Sequence, residues 1–156
     1  MATPLQFDHA VILVNDLEKA SSDYETLGFH VFFGGEHADG KTHNALIVFR
    51  DGTYLELLAP TEPALLDQLD PTDKSNFLFL FLRGEGFGGY ALHSPNLEEA
   101  VERMQQRGLP IQLRPPGGRK RPDGQALRWR SAMLEETMTP FFIQDDTARN
   151  LRVPND

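Results

Sequence analysis

Residues 7–14 (FDHAVILV) form an apolar, β-branched run bounded by Pro4 and by Asn15-Asp16, which predicts a buried strand. The next apolar positions, Leu17, Ala20, Tyr24 and Leu27, recur at helical spacing with charges between them. Such spacing lays one apolar stripe along a helix, with Asp16 as N-cap and Gly28 just past the end. Residues 29–33 (FHVFF) predict a second strand, closed by Gly34-Gly35. Residues 43–50 and 53–59 predict two more, joined at Asp51-Gly52, a dipeptide suited to hairpin turns because it tolerates positive φ. The order is β-α-β-β-β.

That order returns about 80 residues later. Leu17, Ala20, Ser21 and Tyr24 correspond to Leu97, Ala100, Val101 and Met104, Gly28 to Gly108 and Val31 to Ile111. Asn96 is an N-cap with Glu99 three residues on, a capping-box arrangement. Short strands are expected at 90–93, 111–114, 127–133 and 141–144, with a long loop, PPGGRKRPDGQ, at 115–125. One shared offset for a helix stripe, its closing glycine and the strand after it signals a duplicated unit. The expected organisation is a first βαβββ module over 1–60, a linker over 61–86, a second module over 87–146 and a polar, unstructured tail over 147–156. Within the linker, 62–69 predicts a short helix. Residues 76–82 are apolar on both faces, which leaves helix and strand open with a lean to helix from the glycines that follow.

Composition narrows the chemistry. The 156 residues hold no cysteine, so thiolate nucleophiles, disulfides and Cys-ligated metals are excluded, and any metal must sit on histidines and carboxylates. The net charge of −8 disfavours nucleic acid as a partner. No apolar stretch is long enough for a membrane span and the N-terminus has no signal-peptide pattern, which makes a cytoplasmic location the default. The charge is uneven: residues 103–130 carry eight bases against one acid.

Two polar residues interrupt apolar strands. His9 lies in the first, and Glu56 in the middle of Tyr54-Leu55-Glu56-Leu57-Leu58. A buried carboxylate needs a cation or an arginine to offset desolvation, and a buried imidazole needs a hydrogen-bond partner. A two-residue Asp51-Gly52 turn puts Ile47 opposite Glu56 and, by alternation, His43, Ala45, Tyr54 and Leu58 on the Glu56 face. His43 then lies about 13 Å along the strand from that point, at the cleft rim, with a role as acid/base or rim hydrogen-bonder. The basic hairpin offers Arg119, Arg128 and Arg130 as forks for a carboxylate or phosphate, unless it is a solvated loop. Trp129 faces opposite to its arginine neighbours, as core or as a pocket wall.

The βαβββ repeat, with His9 in DHAVILVNDLEKA and Glu56 in GTYLELLAP, resembles the vicinal oxygen chelate superfamily of glyoxalase I, extradiol dioxygenases and bleomycin-resistance proteins. THNALIVFRDGTYLELLAP, LRPPGGRKRPDGQALRWR and PFFIQDDTARNLRVPND are similar to its glyoxalase-like domain branch. The resemblance implies an α+β fold in which duplicated modules curve a mixed sheet around one cleft. It also implies a divalent ion (Zn, Mn, Fe, Ni or Mg) on His9 and Glu56, polarising adjacent oxygens of a small, anionic substrate. Asn44, beside His43, joins Arg119, Arg128, Arg130, Trp129 and Phe142 among the expected substrate contacts. The second-module ligand positions read as Gly89 and Phe142, neither of which binds metal. An alternative is a metal-free binding or resistance protein with an apolar cleft lined by Phe142 and Trp129. Related folds close the cleft within one chain or across a homodimer, and the branch often continues past this point, so the chain also reads as part of a longer protein.

Overall fold

The computed structural model describes residues 4–73, 77–134 and 139–154. The first half contains β1 (Gln6–Leu13), α1 (Leu17–Thr26), β2 (Phe32–His37), β3 (Thr42–Val48) and β4 (Tyr54–Pro60). The second contains β5 (Gly86–His93), α2 (Leu97–Gln106), β6 (Ile111–Leu113), β7 (Gly117–Lys120), β8 (Ala126–Leu134) and β9 (Phe141–Asp145), followed by a short helix α3 (Arg149–Arg152). Two 3₁₀ turns, Pro63–Gln68 and Phe77–Arg83, lie between the halves. The two long helices start at the capping side chains: Asp16 accepts from the Lys19 amide and Asn96 from the Glu99 amide. No helix among the described residues is long and apolar enough to cross a membrane.

Strand pairing runs β2-β3-β4-β1 in the first half and continues through an antiparallel β1–β5 seam into β9 and β8. β6 and β7 both pair with β8 on its other edge, as one strand interrupted at Arg114-Pro115-Pro116, where prolines remove ladder donors. β7 then pairs with β2 and closes the ring within one chain. Gly35 permits that last seam: its φ is +121°, and a Cβ there would come within 1.9 Å of the Lys120 carbonyl. α1 covers Ala45, Ile47, Leu57 and Ala59 on the outside, and α2 covers Ile111, Ala132 and Phe142. Inside, Val11, Leu13 and Leu58 pack against Leu78 and Phe81 of the second 3₁₀ turn.

Four expectations change. The β3–β4 turn has three residues, not two, with Phe49 and Thr53 bonded across it and Gly52 at φ +81°. Leu46 therefore pairs with Glu56, and this one-residue shift exchanges the faces of β3, because side chains alternate. β2 runs through Gly34-Gly35 instead of stopping there, with a register shift between Phe33 and Gly35. Residues 117–120 form a closing strand where a loop was expected. The expected polar tail carries α3, and Arg152 and Val153 are buried. Asn76 and the last two residues of that tail lie outside the described residues.

Candidate functional site

β1 and β4 are parallel neighbours, with His9 beside Tyr54 and Val11 beside Glu56, so His9 and Glu56 rise from adjacent strands on the inner face. His9 Nε2 lies 3.3 Å from Glu56 Oε2, and the His9 ring stacks on Tyr54 at 4.5 Å. In the β1–β5 ladder Phe7 pairs with Leu92 and His9 with Ala91, leaving Asp8 as the extra residue of a bulge. A bulge re-aims side chains. Here it leaves the Asp8 carboxylate 3.0 Å from His9 Nδ1.

From this pair the contacts close on themselves. Arg152 donates to Asp8 at 2.8 Å, Asn44 donates to Glu56 Oε1 at 2.6 Å and Arg119 donates to Asn44 at 3.0 Å. Arg119 also donates to the Arg152 carbonyl at 2.9 Å, completing the circuit. Arg152 further bonds Asp145 and the Tyr54 hydroxyl, and Arg149 bonds Asp8. His37, on β2, bonds Thr42 through Nδ1 and points Nε2 at Glu56 Oε1 from 3.8 Å.

Electrostatics follow from this packing. Burial alone would raise the Glu56 carboxyl, but the hydrogen bond and charge of His9 outweigh it and hold the group at about 2. Burial alone would lower His9, yet its bonds to Asp8 and Glu56 raise it above its ordinary value. Asp8 stays well below the usual carboxylate range, because bonds from His9 and Arg152 exceed the cost of its burial. His37 is pushed down by burial. At neutral pH the geometry therefore holds an ionised Glu56 and a neutral His37, while the two carboxylates beside His9 favour its charged form.

Glu56 forms part of the wall of a cleft of about 630 Å³, with Val11, Leu58, Gly89, Phe141, Arg83 and Arg114 around it. The expected site residues divide. His9, Glu56, Asn44 and Arg119 converge. His43 does not, since the shift in β3 turns it to the α1 side, against Phe33. Arg128 is exposed, and Arg130 bonds Glu98 and Asp146 on the outer surface, away from the cleft. Phe142 is core beneath α2. The cleft residue is Phe141, which pairs with Ala91 as Glu56 pairs with Val11, one position from the expected match. Trp129 is buried and edge-on to His37 in a smaller adjoining pocket.

Sequence reading missed Asp8, His37, Arg149 and Arg152, whereas Tyr54 lies on the Glu56 face as expected and Arg114, one of the basic-hairpin arginines, lines the cleft. Asp8 carries a usable signal, a charged residue inside an apolar strand, but the burial of Arg152 depends on a partner far away in sequence. His37 was hidden by the glycines before it.

The fold implies a divalent ion, and the donors test that. An ion bound at about 2.1 Å to two donors separates them by about 3.0–3.4 Å, which the His9–Glu56 spacing matches. Asp8 orients His9 from its far nitrogen, as carboxylates orient metal-bound imidazoles. The second half contributes Gly89 and Phe141, which offer no side-chain donor. Among the described residues no three His, Asp or Glu side chains form a metal-holding group. The donor set fits one half of a centre.

A closed, duplicated βαβββ sheet around a cleft with a His–Glu pair is the architecture of the vicinal oxygen chelate fold. The chain belongs to the family described as Glyoxalase-like domain, which matches residues 7–156. No curated protein matches it. A hypothetical protein from Staphylococcus aureus superposes with a TM-score of 0.78 at 19% identity, over 96% of this chain and 62% of that one. The chain thus spans less than two thirds of that protein's length. Methylmalonyl-CoA epimerase from Streptomyces coelicolor, in complex with 2-nitronate-propionyl-CoA, superposes at 0.64 with 20% identity, over 92% of this chain and 100% of that one. The Mycobacterium tuberculosis epimerase gives 0.64 at 21%, over 94% and 93%.

Proposed function

We propose that this protein is a small-molecule enzyme of the glyoxalase-like family whose His9 and Glu56 are the two protein ligands of a divalent ion. One observation carries the reading: Nε2 and Oε2 meet at 3.3 Å while the other polar atom of each side chain is engaged, by Asp8 and by Asn44. Both remaining donors are thereby directed to one place beside the cleft. When bound, the ion would act as a Lewis acid toward two adjacent substrate oxygens, with the positions that Gly89 and Phe141 leave open available to them. The chain's own residues do the rest. Asp8 fixes the imidazole, Asn44 and Arg119 fix the carboxylate, and Val11, Leu58 and Phe141 exclude water from the reacting end. Arg83 and Arg114 supply positive charge on the cleft wall for an anionic substrate.

The second reading is a metal-free binding or sequestration protein, and Gly89 and Phe141 in the second-half ligand positions favour it. One titration separates the two. Chelator-stripped protein is expected to bind one equivalent of Mn²⁺, Zn²⁺ or Fe²⁺ per chain, and His9→Ala with Glu56→Ala to abolish it. Stoichiometric binding that survives the double substitution, or no binding by the native chain, overturns the metal reading. An organic ligand that co-purifies with metal-free protein supports the second.

A further inference from the structure

The smaller pocket beside the cleft, of about 210 Å³, is lined by His37, Arg114, Gly117, Trp129 and Ser131, with Asp39 also on its wall. It shares Phe77, Arg114, Pro115 and Met133 with the larger cleft, so the two are contiguous. His37 is engaged by Thr42, but three other polar groups on this wall are unclaimed. Among the described residues the Arg114 guanidinium, the Trp129 indole N–H and the Ser131 hydroxyl have no hydrogen-bond or ion-pair partner, though Trp129 and Ser131 are more than nine-tenths buried. Three donors without an internal partner, one of them cationic, thus line one small pocket, a set suited to an anionic ligand acceptor. Gly117 keeps the indole N–H open: a Cβ there would come within 2.4 Å of Nε1. The opposing charge is limited, because Asp39 is exposed and already accepts from the Lys41 amide.

We infer that this pocket is an oxyanion subsite: Arg114, Trp129 and Ser131 take a carboxylate or phosphate group of the ligand whose body occupies the larger cleft. A planar guanidinium with two neutral donors suits either anion, and the volume admits the group with the first atoms of its chain. His37 lies between this subsite and Glu56, so the anion is held one side chain away from the reacting end. The inference rests on the proposed function only in taking the cleft as the reaction site.

Trp129 is the only tryptophan, which gives a direct readout. The full chain, without added metal, is titrated with propanoate, methyl phosphate and propanamide while Trp129 fluorescence and its indole ¹H–¹⁵N signal are followed. A saturable change with either anion but not with the amide is expected, with the indole proton shifting downfield. The tighter of the two anions identifies the ligand class. Arg114→Gln is expected to weaken binding about tenfold or more, the scale of a lost charged hydrogen bond, and the outward-facing Arg128→Gln to leave it unchanged. An equal response to propanamide, no saturable response to either anion, or undiminished binding in Arg114→Gln overturns the subsite. Because no metal is present, that failure is separate from failure of the His9–Glu56 metal titration.

Discussion

At the scale of single residues, the interior charges tie stability to pH in a definite direction. Glu56 and Asp8 are depressed below their ordinary values, so their contribution is present above the unfolded carboxyl range and is lost as pH falls through the folded one. For Glu56 that window runs from 4.5 down to about 2. His9 is raised, so its contribution is complete below its ordinary value of 6.5 and fades as pH climbs through the folded value. Thermal melts of the metal-free chain are expected to be highest between these limits, and Glu56→Gln to flatten the acid arm. An unchanged acid arm in that variant would remove Glu56 as its source. The sequence made Glu56 and His9 legible because each is a polar residue that an apolar strand has no reason to carry. His43 was expected on the same face at the cleft rim, and only the turn decides which face it takes.

At the scale of elements, what sequence reading recovered is whatever local patterning controls. Both helices follow from their stripes and caps, and the strands from their apolar runs. Register was not recoverable from local patterning, because a three-residue turn at Arg50-Asp51-Gly52 and a two-residue one at Asp51-Gly52 use the same residues. The same slip recurs at Phe141 and Phe142, where two identical side chains give no signal about which faces the cleft. α3 was missed for a different reason: four residues rich in arginine read as solvated, and their burial depends on Asp8 and Asp145, far away in sequence or in another element. That dependence is testable. Arg152→Ala leaves the fully buried Asp8 short of a partner, and breaking a buried pair costs about 3–5 kcal/mol. Urea denaturation is the measurement, and a loss below ~1 kcal/mol, the scale of exposed pairs, would mean that Arg149 alone satisfies Asp8.

At the scale of the whole molecule, duplication accounts for both the fold and its asymmetry. Val11 pairs with Glu56 as Ala91 pairs with Phe141, so the two halves present equivalent places to one cleft, but only the first fills them with donors. Phe141→Glu supplies the missing carboxylate in the corresponding position. It is expected to tighten divalent-ion binding about tenfold or more, measured by calorimetry, while lowering the melting temperature of the metal-free chain. Unchanged affinity in a folded variant would mean that the two halves do not share one ion-binding point. The Asp8–Arg152 contact spans 144 residues, joining nearly the first strand to the last helix. Translation delivers Asp8 and His9 long before their guanidinium exists, so a growing chain holds that carboxylate in water or exposed to chaperones. The Asp8–His9–Glu56 arrangement is consequently completed only once Arg152 has itself left the ribosome, and residues 1–151 alone would hold that carboxylate without this partner.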